Sequence, residues 1–185
     1  MQRRLLPLTL LAALLTVLAL GTVAASAERG GGDDTRLSAA QRNQIRAETK
    51  QFRDVDAAVA AGYLPTDECV AVDGLGGMGY HYVNPDHVTD GVVDVAKPDV
   101  LVYQRAPNGQ LRLGAVEYLI FDEDGRPDTD DDRPYLFGRY GFDGPMPGHE
   151  PEMPVHYDLH VWLYEHNPAG ELQGFNPRVT CPELD

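Results

Sequence analysis

Between Val100 and Phe121 the chain reads as two strands joined at Asn108-Gly109, and no other segment constrains the fold as much. A two-residue type I′ turn needs positive φ at both central residues, which Asn-Gly adopts with little strain. Val100–Arg105 enters this turn and Leu111–Phe121 leaves it. In the second run, alternation puts Leu111, Leu113, Ala115, Glu117, Leu119 and Phe121 on one face and Val116, Tyr118 and Ile120 on the other. Apolar residues on both faces mark a strand covered on both sides and central to its sheet. Further strands are expected at Tyr80–Val83 and Tyr157–Tyr164, among turns rich in Gly and Pro. Ahead of them, Ser38-Ala39-Ala40-Gln41 fits a capping box that opens a helix running to about Gln51. Asp54 is placed to cap a second helix ending at Gly62. Ile45, Phe52, Val55 and Val59 form the stripe that packs on a sheet. The expected fold is α+β: N-terminal helices followed by a mostly antiparallel sheet or partly closed β-barrel, in a single domain over residues 37–185.

The start of the chain has a different character. Met1-Gln2-Arg3-Arg4 is basic, Leu5 to Val23 is an apolar run, and Ala25-Ser26-Ala27 supplies a small-x-small cleavage pattern. Residues 1–27 therefore read as a secretory signal peptide, and Arg3-Arg4 leaves twin-arginine export open beside the general route. Residues 28–36, rich in Gly and Asp, form an expected disordered linker. The implied location is secreted or extracytoplasmic, with no membrane attachment after cleavage. In such an oxidising compartment Cys69 and Cys181, the only 2 cysteines, are expected to form a disulfide.

Composition then removes whole classes of function. A formal net charge of −14 repels nucleic acid and anionic lipid and favours a metal ion or small molecule as partner. Beyond residue 27 the only serine is Ser38, a helix cap, and the only lysines are Lys50 and Lys97. Serine, cysteine and Schiff-base lysine mechanisms lose their nucleophile. Any chemistry falls to His, Tyr, Asp, Glu or a metal.

Three of the 6 histidines lie in His156–Asn167, among aromatic and branched residues. As a strand, this segment puts His156, Asp158, His160, Trp162 and Tyr164 on one face, with Leu159, Val161 and Leu163 toward the core. Residues four apart on a strand are ~13 Å apart, too far for His156 and His160 to share an ion, so His160 must meet ligands from other strands. Glu117, set on an apolar face, must pair, protonate or bind a cation; Arg105 and Arg112 are candidate salt-bridge partners. Gly74–Tyr82 is a glycine-rich approach to a strand carrying His81. No helix pattern follows it, so it is no dinucleotide fingerprint and no nucleotide cofactor is expected. Its glycines let the backbone pass close to a ligand or another strand. The acidic stretch 122–132 resembles half of an EF-hand loop, with Asp122 and Asp124-Gly125 in phase. Its first ligand position falls on Ile120 and its twelfth lacks a bidentate Glu, so a solvated loop is preferred, with calcium left open.

Gly77-Met78-Gly79-Tyr80-His81-Tyr82-Val83-Asn84-Pro85, Val116-Glu117-Tyr118, Leu159-His160-Val161-Trp162-Leu163, Asn167-Pro168-Ala169-Gly170, Phe175-Asn176-Pro177 and Cys181 together resemble a group of secreted bacterial hypothetical proteins. The motifs span most of the mature chain. That group has no established activity, so the resemblance implies no mechanism. It implies that His81, Glu117 and His160 belong to a recurring framework; His149 and His156 lie outside it.

The functional expectation is a secreted metal-binding protein, extending to a metalloenzyme. His81, Glu117 and His160 come from separate strands and converge on one divalent metal, with Zn, Fe or Cu suited to two imidazoles and a carboxylate. Tyr80, Tyr118 and Trp162 are expected to wall the pocket, with His156 and Asp158 beside the ligands. One alternative is a metal-free small-molecule-binding module with an aromatic-lined pocket. Another is extracytoplasmic copper handling through Met146, His149, Met153, His156 and His160.

Overall fold

Ser38 Oγ accepts the Gln41 amide at 3.3 Å and Gln41 Oε1 accepts the Ser38 amide at 2.8 Å, so the capping box forms and starts α1, Ala39–Thr49. A 3-10 turn over Lys50–Arg53 leads to Asp54, which caps α2, Val55–Ala60. Gly62, at φ +94°, ends it: the Gly62 amide donates to Val59 and the Tyr63 amide to Ala58, the Schellman pattern. Ile45, Phe52 and Ala58 reach the core. Val59, expected in the same stripe, is instead 46% exposed, because the 3-10 turn breaks the helical phase between α1 and α2.

The computed structural model describes residues 35–148 and 152–181, all within one unit, Asp33–Asp185. The signal peptide expected over 1–27 lies outside the described residues, as does the expected linker over 28–36 apart from Thr35 and Arg36. After the helices come β1 (Leu64–Val72), β2 (Gly76–Val83), a single helical turn α3 (Pro85–Val88), β3 (Val100–Arg105) and β4 (Leu111–Phe121). Then follow β5 (Tyr135–Leu136), β6 (Tyr140–Gly141), β7 (Asp143–Met146) and β8 (His156–Val161). Six of these strands form one antiparallel sheet in the order β1-β2-β3-β4-β8-β7, and β5 pairs β6 separately. The sheet is open, with β1 and β7 at its edges, and does not close into the barrel held as an alternative. No helix among the described residues is long and apolar enough to cross a membrane.

Two local expectations change. Asn108-Gly109 does make the β3–β4 connection, but only Gly109 has positive φ, at +81°. Pro107 precedes the pair, and its fixed φ suits the first central position of a type I turn. The Gly109 amide donates to Ala106 and the Ala106 amide to Gln110, so the turn is type I closed by a glycine bulge rather than type I′. A second bulge falls at Gly114: Val102 pairs Ala115 while Tyr103 pairs Leu113. The extra residue reverses the alternation. Leu113 therefore joins Val116 and Tyr118 in the core beneath the helices, and Ala115 packs on the other face with Val100, Val102 and Trp162. Glu117 shares its face with Ala115 and Leu119, not with Leu111 and Leu113.

That second face is covered by the C-terminal segment. β8 ends at Val161, short of the expected Tyr164, where the Trp162 amide turns to Glu171. Gly77 and Asn176 then exchange backbone hydrogen bonds of 3.2 and 2.9 Å. Gly76 must be glycine, since a Cβ would stand 2.2 Å from the Asn176 carbonyl oxygen. The Gly-rich stretch thus admits a neighbouring chain segment. Cys69 in β1 bridges Cys181, with Cα atoms 5.5 Å apart, and ties this cover down. Asn84, Asn167 and Asn176 each precede a proline, are buried, and accept the amide two residues on; Asn84 caps α3, while Asn167 and Asn176 fix turns within the cover.

Candidate metal centre

Register decides which side chains meet. Glu117 on β4 lies directly opposite His160 on β8, and His81 on β2 reaches across β3 from the row one step along. All three point to the face away from α1 and α2. His81 Nε2 and His160 Nε2 each stand 3.5 Å from the same oxygen, Glu117 Oε2. One ligand atom from each residue lies within 4.8 Å of the others, the one such cluster among the described residues. The two rings are 6.0 Å apart and nearly perpendicular, at 88°. Bonds of ~2.1 Å at a tetrahedral ion put neighbouring donors about 3.4 Å apart, so the two 3.5 Å contacts match the donor spacing of a shared ion.

The electrostatics are tense. Glu117 and His160 are 4% and 1% exposed. Burial raises the Glu117 carboxyl above the ordinary range, against the pull of His160. Burial opposes charge on His160 too, but Glu117 and Asp158 outweigh it and raise the imidazole. Glu117 Oε2 and both His160 ring nitrogens have no hydrogen-bond partner among the described residues. Contacts of 3.5 Å with poor alignment are ion pairs, weaker than the hydrogen bonds that buried polar groups ordinarily make. An ion on His160 Nε2 and Glu117 Oε2 would satisfy two of those atoms at once, so the donors fit a metal.

Asp158 is the next layer out. Its Oδ1 is 3.7 Å from His160 Nδ1 and its Oδ2 is 3.7 Å from His156 Nε2, while His156 Nδ1 lies 3.1 Å from the Pro154 carbonyl oxygen. Burial works against the Asp158 charge, yet the imidazoles on either side hold its carboxyl well below the usual range. A carboxylate behind the non-ligating nitrogen of a histidine sets ring orientation and tautomer in metal sites. His156 itself lies outside the triad, as the strand spacing requires, and is joined to His160 only through Asp158.

Several expectations fall differently. Tyr80 and Tyr118 stand on the opposite face, in and against the core beneath the helices, so they do not wall this pocket. Both alternate with a triad residue, His81 or Glu117, and neighbours in a strand cannot share a face. Tyr164 is likewise turned to α1, its hydroxyl 2.8 Å from Thr49 Oγ1. Trp162 is on the triad face, packed on Val100, Val102 and Ala115, with its indole N–H donating to Gln173, but outside the lining of the cavity at His81 and Glu117. Neither suggested arginine reaches Glu117: Arg105 lies over the Tyr80 ring and both Arg105 and Arg112 are exposed.

A cavity of about 90 Å³ lined by His81 and Glu117, but not by His160, also takes in Thr66 and Glu68 from β1, Leu119, and Met153 from the loop before β8. The sequence reading missed β1, because Pro65 and the acidic pair Asp67-Glu68 mask its alternation. Of the Met/His segment, Met153 lines this cavity, Met146 and His156 are partners across β7 and β8, and His149 lies outside the described residues. The acidic loop spends its carboxylates locally: Asp122 and Asp124 accept the Arg126 amide, Asp132 accepts the Glu123 amide, and Asp128 and Asp130 pair Arg126 and Arg133.

No family model, curated protein or solved structure matches the chain.

Proposed function

We propose that this is an exported metal-binding protein whose His81, Glu117 and His160 hold one divalent transition metal. The carrying observation is that the imidazoles of buried His160 and half-buried His81 converge at 3.5 Å on a single Glu117 oxygen that has no hydrogen bond among the described residues. Zinc and ferrous iron suit a donor set of two nitrogens and one oxygen, and three protein ligands leave room on the ion for water or substrate. That room is what a metalloenzyme requires. Export is supported by the Cys69–Cys181 bridge, which persists in oxidising compartments.

Met153 in the cavity lined by His81 and Glu117 favours a second reading, copper, since a thioether is a soft donor. The test is metal analysis of protein purified without a histidine tag, followed by competition between zinc and cuprous ion. One equivalent of metal, lost in His160→Ala, is expected. Metal-free protein that takes up none of zinc, iron or copper stoichiometrically would refute the proposal. Preference for cuprous ion that disappears in Met153→Leu would decide for copper.

A further inference from the structure

A larger cavity of about 430 Å³ lies beside the triad, within the range of small-molecule sites. Leu75, Met78, Met146 and Phe175 give it apolar walls, and two carboxylates, Asp143 and Asp158, interrupt them. The two acids are direct partners across β7 and β8. Like charges in opposed positions of an antiparallel pair repel, and a chain gains nothing structurally from that placement. Asp158 is 2% exposed, and its Oδ2 has no hydrogen bond among the described residues. The imidazoles of His156 and His160, at 3.7 Å, lie on its own strand. Asp143 comes from the other strand and adds a second negative charge at the same wall. Asp143 stands exposed at the edge strand, and partial desolvation together with the facing Asp158 raises its carboxyl, against His160 and Arg133.

We propose that this second cavity binds a compact organic cation, an ammonium group on an apolar body. The ammonium stands at Asp143 and Asp158, and the body lies against Met78, Met146 and Phe175. A hard metal ion is the poorer occupant, because it needs six or more oxygens and the walls offer thioether, aliphatic and phenyl groups. The space is also far larger than a bare ion, and suits a small organic molecule. Methionine side chains adapt to such a body, and their sulfur favours an aromatic edge. The strongly negative field of the chain draws the cation in.

The matched probes are 2-phenylethylamine and 2-phenylethanol, which differ only in the charged head. They are titrated into chelator-treated and metal-loaded protein carrying ¹³C-methyl methionine. The amine should shift the Met78 and Met146 methyls and leave Met153, at the other cavity, in place. The alcohol should bind about tenfold more weakly or worse, as the loss of a charge-assisted contact requires. Asp143→Asn should lose the same factor while keeping its metal uptake and its melting temperature. Equal binding of alcohol and amine overturns the proposal, as does an amine that moves neither methyl up to about 1 mM. Cuprous ion moving Met78 and Met146 where the amine does not would overturn it in favour of a metal. Amine binding to chelator-treated protein stands apart from the metal reading, so either can fail alone.

Discussion

Replacing Glu117 by Gln separates a ligand from a merely buried acid. Without metal the change should be mild. The Glu117 carboxyl is 4% exposed and raised by burial, so its neutral form is already close in energy. Glutamine has nearly the shape of that neutral acid, and His160 keeps Asp158 as a counter-charge. The lost attraction should cost about 1 kcal/mol, the scale of one net polar contact. With metal the difference is larger. Metal at about 100 times its Kd adds about 2.7 kcal/mol to the wild type. For a domain of this size that corresponds to a rise of about 5–11 °C. Glu117→Gln should show almost none of it. The assay is thermal unfolding by circular dichroism on chelator-treated protein, with and without each metal. His166→Ala serves as control, since His166 is exposed and outside the triad. A wild-type metal shift in the Glu117 variant would remove Glu117 from the ligand set. A shift abolished equally by His166→Ala would reduce the effect to surface histidine binding.

Asp158→Asn should weaken metal affinity by about 10–100-fold without abolishing it, measured by chelator competition, because it orients His160 rather than binding the ion. Asp99, 1% exposed, accepts the Leu119 amide, and burial pushes its carboxyl up to about 7. The folded carboxyl then keeps its proton where the unfolded one has lost it, so its contribution is present below about pH 4 and is lost as pH rises through about 7. Asp99→Asn should therefore gain on the wild type by up to about 4 kcal/mol between pH 4 and 7.5 in urea titrations, and parallel curves would disprove the burial argument. Replacing Cys69 and Cys181 together by Ala should cost about 4–5 kcal/mol in chemical unfolding, because the bridge closes a separation of 112 residues. Hydrogen exchange should then rise first at the Gly77 and Asn176 amides that the bridge holds together.

The sequence by itself determined the local and periodic features of this protein. Ser38 with Gln41, Gly62 after α2, and the strands Val100–Arg105 and Leu111–Phe121 follow from caps, turn residues and alternation acting within a few positions of one another. The anomaly of Glu117 was also legible, because a carboxylate inside an apolar strand needs a partner wherever that strand packs. Faces and partners were not. One extra residue at Gly114 turns Leu113 to the helices, whereas the placing of Tyr80 and Tyr118 opposite His81 and Glu117 follows from alternation alone. Such a bulge exists only in the pairing with β3, so no pattern within Leu111–Phe121 announces it. Strand order likewise belongs to the tertiary structure. β8 lies against β4, and β7 outside it, so His160 faces Glu117 and Asp143 faces Asp158. Those contacts join residues far apart along the chain, and long-range register is set by burying whole faces together rather than by any local preference.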